Sequence, residues 1–248
     1  FGVKEEDLRS AMWVPSGYAS ETGDVTVYFS LHDVQGASGW QIDLSRFRHV
    51  ERPDFGDAPH LVVTRNLEPI YDIATAIRAF ALVRQAFAGA RLTVAGSGPE
   101  LVRLRELTAE LGLEACVDFC GRVDNAAIPA LYASADCMLN PSTVDNMPIS
   151  ILESFASGVP VVSTNAGGIP DLVEDGVSGL LVPVGDAAAM AQAVLHVLRE
   201  PLLAARLREA GLTAAEGYAW PTVRDQWLRV YRSVAKSGPL DSRKRLNA

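Results

Sequence analysis

Asp145 and Glu153 bracket a short segment in which ligand chemistry can be arranged. Between them run Asn146, Met147, Pro148, Ile149, Ser150, Ile151 and Leu152. Pro148 suits the first position of a helix, since its missing N–H would be unpaired there anyway. The helix then reads through Ser157 and stops at Gly158-Val159-Pro160. Glu153 is its only charge, and Ile149, Leu152 and Ala156 lie three or four positions away, so the carboxylate borders an apolar stripe. A carboxylate in such a place is costly unless something donates to it. Ligand hydroxyls can do so, at roughly 1.5–3 kcal/mol for a charge-assisted bond; protein donors can do so as well. The free backbone N–H groups near Asn146 to Ser150, with the helix dipole behind them, attract phosphate. A ribose on Glu153 and a pyrophosphate at the helix start make a coherent nucleotide pose.

The elements that must hold this segment are legible from His60 onward. Short apolar runs at 60–64, 92–95, 116–120, 136–139, 160–163 and 179–182 predict strands. Amphipathic stretches near 72–88, 98–112, 126–133, 148–157, 168–174, 186–199, 201–216 and 220–234 predict helices. Continuously apolar strands alternating with helices predict an α/β fold with a doubly wound parallel sheet, covered on both faces. Ligands bind such sheets outside the carboxyl ends of the strands. Arg65-Asn66, Gly96-Ser97-Gly98-Pro99-Glu100, Gly121-Arg122, Asn140-Pro141-Ser142 and Thr164-Asn165-Ala166-Gly167-Gly168 follow five of those strands. Small, polar and basic residues therefore recur on one edge, as a crevice for a phosphorylated ligand requires. Gly96 and Gly98 open like a dinucleotide fingerprint, but Leu101 replaces its third glycine and no acid closes a second strand about twenty residues on. A tight strand-to-helix turn with Pro99 at the first helical position, a wall of a sugar-nucleotide site and an NAD site are the three readings of that turn.

Residues 1–58 read as irregular, with one alternating strand over 24–31, and are too short for a domain of their own. With 248 residues and a net charge of −8, the chain lacks the basic footprint that a nucleic-acid partner needs. Cys116, Cys120 and Cys137 are odd in number and lack paired spacing, which predicts free thiols in a reduced cytosol rather than a disulfide framework or metal site. No apolar run reaches the roughly eighteen residues of a membrane span, and no signal peptide is visible. Arg243, Lys244 and Arg245 mark a tail that is either solvated or weakly drawn to an anionic membrane.

These residues resemble glycosyltransferase family 4, whose members have the two-domain GT-B fold. The family pattern is an acid, seven residues, a glutamate, an apolar run and a Gly-Gly loop; here it runs from Asp145 through Glu153 to Gly167-Gly168. Val94 to Glu100, Phe119 to Val123, Gly176 to Pro183 and Ile42 to Phe47 match in the right order, over about residues 40–234. The resemblance implies a Rossmann-like donor domain over 59–218, a remnant of the amino-terminal acceptor domain and linker over 1–58, a crossover helix over 219–235 and a tail over 236–248. It implies that Glu153 holds the donor ribose and that Asp145 lies near the donor sugar. It places Asn146, Met147, Pro148 and Ile149 at the sugar hydroxyls or phosphates, and Arg65 at the pyrophosphate, which carries the leaving group's charge. Gly96 and Gly98 would wall the donor site, and Gly121, Arg122 and Val123 would flank the base. The implied reaction is retaining transfer of a hexose-type sugar from a nucleoside diphosphate sugar to a glycan or lipid-linked acceptor, with no metal or other cofactor, in the cytoplasm or peripherally on the inner membrane face.

The sequence departs from that pattern at four places. The first acid is Asp145 rather than the commoner Glu, and Asn146-Met147-Pro148 stands for Gly-Phe-Gly. Ile70 and Tyr71 occupy the positions of a lysine that usually supplies the second pyrophosphate cation, for which Arg122 is a substitute to be tested. Only residues 1–58 precede the sheet, with Trp13 to Tyr18 resembling the end of an acceptor domain, so the isolated chain is expected to bind nucleotide weakly and turn over little. In the last helix Trp220, Val223, Trp227, Val230, Tyr231 and Val234 form an apolar stripe, either ordinary core or a surface for self-association. A non-catalytic nucleotide-binding module, a sugar-nucleotide epimerase and an NAD enzyme are the competing readings.

Overall fold

The computed structural model describes residues 42–47, 49 and 55–225, together with the backbone of residues 11–19 and 25–33. Strands β1 (Ala11–Ala19) and β2 (Val25–Asp33) pair antiparallel, in register from Ala11 with Asp33 to Ala19 with Val25. The strand expected over 24–31 is thus present, and its partner corrects the reading of 11–19 as irregular linker. Pro15 and Gly17 hide β1 in the sequence, because both are poor residues for a central strand but tolerated where a neighbour lies on one side only.

The main sheet has six parallel strands: β3 (His60–Thr64), β4 (Arg91–Ala95), β5 (Val117–Gly121), β6 (Cys137–Asn140), β7 (Val161–Thr164) and β8 (Leu180–Val182). Their spatial order is β5-β4-β3-β6-β7-β8. Each expected strand is present to within one residue. Between and after them lie α1 (Ile73–Ala86), α2 (Leu101–Glu110), α3 (Ile128–Ala133), α4 (Ile149–Ala156), α5 (Ile169–Leu172), α6 (Ala187–Arg199) and α7 (Pro201–Gly217). Both faces are covered, as the apolar strands require. Leu61, Val63, Leu92, Val94 and Leu139 pack with α1 and α6 on one side, whereas Val62, Met138 and Val161 pack with α4 and α5 on the other. Gly211 of α7 allows close approach to Phe155 of α4, since a Cβ there would sit 2.8 Å from the buried ring.

Two helix starts differ from the sequence reading. Pro148 is the cap residue before α4, with extended backbone, and not its first turn. The helix after β4 begins at Leu101 instead of 98, because Gly98 is pressed against the Leu67 backbone and the chain must turn before it can coil. Helix resumes at 220–225; the rest of the expected last helix, its Trp227–Val234 stripe and the basic tail lie outside the described residues. Cys116, Cys120 and Cys137 are free thiols. Among the described residues, no helix is long and apolar enough to cross a membrane, and no cluster of His, Cys, Asp or Glu has metal-binding geometry.

Candidate functional site

The strand order reverses direction between β3 and β6, so the chain departs on opposite sides of that seam. This is the switch point at which open α/β sheets leave a crevice beyond their carboxyl ends. Arg65 directly follows β3, and Asp145 lies in the loop between β6 and α4. Their side chains form an ion pair from an Arg65 guanidinium nitrogen to Asp145 Oδ2, and are only 12% and 11% exposed. The Arg65 Cζ also sits 4.1 Å from the centre of the Tyr71 ring, within cation–π range. Tyr71 thus occupies the position expected to lack a second cation and supports the first one instead. Arg65 Nε is buried and has no partner, so one donor of the guanidinium remains to be satisfied.

Asp145 rests on a polar ladder that continues into the sheet. Ser142 Oγ lies 3.3 Å from Asp145 Oδ2 and 3.1 Å from Asn140 Oδ1. Asn140 Nδ2 donates to Ser163 Oγ at 3.0 Å, and Thr164 Oγ1 donates to the Ser142 carbonyl at 2.5 Å. The glycines fit the loops around it. A Cβ on Gly96 would overlap the Arg65 carbonyl, and one on Gly98 the Leu67 carbonyl. Gly167 and Gly168 stand in the same relation to the Asp145 and Asn146 carbonyls, and Gly168 N donates to the Asp145 carbonyl at 2.8 Å. The Gly96–Gly98 turn therefore braces the arginine loop as the Gly-Gly loop braces the aspartate loop.

Helix α4 begins at the same edge. No side chain caps its amino end, so the leading amides stay available to an anion. Asn146 is exposed, Met147 and Ile149 are half-buried, and Pro148 is buried. Ser150 Oγ is buried without a partner. One turn on, Glu153 is half-buried while Ile151, Leu152, Ser154, Phe155 and Ala156 are buried. The Tyr132 hydroxyl lies 2.9 Å from the Ser150 carbonyl oxygen and 3.3 Å from Glu153 Oε2, two acceptors for its one hydrogen. Burial pushes the Glu153 carboxyl up from its usual 4.5 to about 7, against the opposing effects of the Tyr132 hydrogen bond and the Arg46 charge. Between those values the folded chain keeps a proton that the unfolded chain has lost, so this group's contribution to stability falls as pH rises from about 4.5 to about 7 and is flat above. The drop should reach about 3 kcal/mol at most. Chemical denaturation across that range should show it in the wild type and not in Glu153→Gln; an equal slope in both would assign the titration to another group.

Gly121 ends β5 with a φ of 71°, and Gly96 N donates to its carbonyl at 2.8 Å. Arg122 is exposed and Val123 half-buried. Two strand spacings, about 10 Å, separate β5 from β3. The structure thus unites Arg65, Asp145, Gly96, Gly98 and the α4 start and joins Gly121 to them through Gly96, whereas Arg122 and Val123 follow on the β5 side. Three further residues, Thr64, Tyr71 and Tyr132, bear on the site without having been expected, whereas Ser142 belongs to an edge loop that the sequence already marked. Of these only Tyr71 carried a sequence signal, through the lysine it replaces.

The family model for glycosyl transferases group 1 matches residues 46–213. The chain belongs to this family. It is 35% identical over 179 residues to the phosphatidyl-myo-inositol mannosyltransferase of Mycobacterium leprae, covering 72% of this chain and 47% of that relative. It is 33% identical over 186 residues to the GDP-mannose-dependent alpha-(1-6)-phosphatidylinositol monomannoside mannosyltransferase of Mycolicibacterium smegmatis, covering 72% and 49%. The chain spans about half the length of the curated relatives it matches. Among solved structures, sucrose-phosphate synthase from Thermosynechococcus elongatus superposes with a TM-score of 0.70 at 25% identity, over 79% of this chain and 52% of that one. The six-stranded domain is accordingly the carboxyl-terminal half of a GT-B fold, and the α/β expectation stands.

Proposed function

We propose that this chain is the donor-binding half of a retaining glycosyltransferase that moves a hexose-type sugar from a nucleoside diphosphate sugar to a glycan or lipid-linked hydroxyl. The observation that carries the reading is a convergence at the β3/β6 switch point. An arginine with an unsatisfied buried donor, an uncapped helix start and a half-buried glutamate lie in turn at this end of the sheet. Their order suits a donor laid along α4, with the diphosphate against Arg65 and the leading amides and the ribose hydroxyls on Glu153. Cleavage of the bond to the diphosphate builds charge on the leaving oxygen, and Arg65, once turned from Asp145 to the phosphate, stabilises it together with the α4 dipole. Asp145 sits beside Arg65, close to where the donor sugar would begin. Relatives named as mannosyltransferases, one of them GDP-mannose-dependent, support sugar transfer as the reaction class. No step needs a metal: cation and amides supply the electrostatics. A reaction on lipid-linked acceptors would place the chain at the cytoplasmic face of a membrane, peripherally.

One observation favours a second reading, a nucleotide-binding module without catalysis: the guanidinium that should meet the diphosphate is already paired with Asp145. A single series of measurements separates the two. Calorimetric titration with UDP and GDP is expected to show binding of the chain. UDP-glucose and GDP-mannose should then be hydrolysed or transferred once an amino-terminal half from a relative is fused ahead of it. Binding without turnover in the fusion would favour the module, and isomerised donor an epimerase. No binding of either nucleotide would remove the proposal.

A further inference from the structure

We propose that Tyr132 is the positioning residue of the donor site, its hydroxyl tying Glu153 to the end of β3 and turning its hydrogen onto the carboxylate when a nucleotide ribose binds. The inference rests on the donor-binding reading and deepens it. Tyr132 lies in α3, on none of the loops that line the crevice, and is fully buried. Its ring meets Phe47 edge-on, with centroids 6.4 Å apart at 62°. The hydroxyl is 2.6 Å from Thr64 Oγ1, 2.9 Å from the Ser150 carbonyl oxygen and 3.3 Å from Glu153 Oε2. These three partners belong to the last residue of β3 and to the first and second turns of α4. Thr64 immediately precedes Arg65. One phenol oxygen therefore sets the spacing between the expected ribose acceptor and the expected pyrophosphate cation.

The proton inventory makes this more than a brace. A phenol has one hydrogen, and a carbonyl or an ionised carboxylate can only accept. The Ser150 carbonyl at 2.9 Å needs the phenol hydrogen unless an ionised Glu153 takes it, so Thr64 donates to the Tyr132 oxygen in either case. At 2.9 Å against 3.3 Å, the Ser150 carbonyl is the closer acceptor. Two ribose hydroxyls donating to Glu153 favour its ionised form, so binding draws its proton off to solvent in the range where the carboxyl is protonated. A charged acceptor makes a hydrogen bond about twice as strong as a neutral one, and the phenol hydrogen rotates toward it. Other charges face this cluster from separate elements. Arg46, from the segment before the sheet, favours the ionised glutamate. Arg65, at the end of β3, is held by Asp145 of the β6–α4 loop. Tyr132 is the neutral group among them, and the one whose hydrogen can follow the glutamate's state.

The test is calorimetric titration of the chain with UDP and GDP and with their 2′,3′-dideoxy counterparts, from pH 5 to 8.5, in wild type and Tyr132→Phe. In the wild type, affinity for the ribose nucleotides should rise with pH and level off above about 7. Tyr132→Phe should move that midpoint up by about one pH unit and weaken ribose nucleotides about tenfold at pH 7, leaving the dideoxy compounds little changed. Equal losses for ribose and dideoxy ligands with an unmoved midpoint would mean a purely structural tyrosine and overturn the proposal. Should the phenylalanine variant not fold, Thr64→Val removes the donor to the phenol at nearly constant volume; a smaller shift in the same direction supports the proposal, and no shift overturns it. A wild type that binds no nucleotide at any pH overturns the donor-binding reading and this inference together. A wild type that binds with ribose preference, beside a variant that behaves identically, overturns this inference alone.

Discussion

Arg65→Ala should weaken nucleoside diphosphate binding by about a hundredfold or more, whereas Asp145→Asn should strengthen it. The asymmetry follows from the ion pair. Removing Arg65 deletes the cation expected to meet the diphosphate and also leaves Asp145, only 11% exposed, as an unanswered negative charge beside the ligand. Breaking one side of a buried pair typically costs about 3–5 kcal/mol, which is more than a hundredfold in affinity where ligand binding depends on it. Neutralising Asp145 instead frees the guanidinium, still supported by the Tyr71 ring, and removes a competitor for it. Titration of UDP and GDP into both variants reads the two signs directly. A tighter complex with Asp145→Asn should accompany lost turnover in an extended chain if Asp145 also serves the sugar. Parallel losses of binding in both variants would show that the pair acts only as a structural clamp.

Gly167→Ala should cost both stability and binding. The backbone at Gly167 has a φ of 54°, where a side chain is strained, and a Cβ there would overlap the Asp145 carbonyl. Two penalties therefore fall on one methyl group. Backbone strain contributes about 1 kcal/mol and overpacking against immobile backbone about 1–3 kcal/mol more. The displaced atoms belong to Asp145, so the distortion passes to the ion pair and to the approach of α4. Denaturation midpoints and nucleotide titration should fall together. Gly112→Ala is the control: its φ of 67° is similarly strained, but open space surrounds it, so stability alone should drop. Unchanged nucleotide affinity in Gly167→Ala would mean that the aspartate loop is not part of the ligand site.

How much of this was legible depended on what each residue needed from the rest of the chain. The strands could be read because a parallel strand buried on both faces must be apolar throughout, as Leu61-Val62-Val63 and Met138-Leu139 are. Strand β1 could not, because a ribbon of two strands does not impose that demand and tolerates Pro15 and Gly17. Glu153 stood out as the lone charge of an otherwise uncharged helix. The Arg65–Asp145 pair did not, although both residues were placed on the same edge. Eighty positions separate them, and no local pattern reports a side-chain contact across a seam between strands. Tyr71 was visible only as a missing lysine; that its ring carries the arginine depends on the turn Pro69–Tyr71 folding back toward β3. Tyr132 gave no signal at all, since a tyrosine in a six-residue helix is by default core, and its hydroxyl finds partners 18, 21 and 68 positions away.

The mutual neutralisation of Arg65 and Asp145 also governs how a ligand arrives. The paired charges exert little long-range pull, and a chain of net charge −8 repels polyanions at a distance. On the donor-binding reading, encounter with a nucleoside diphosphate gains no attractive steering, and added salt, by screening the net repulsion, should raise its rate. On the same reading, discrimination between a diphosphate and a smaller anion would fall to residence time, after the guanidinium exchanges one partner for the other.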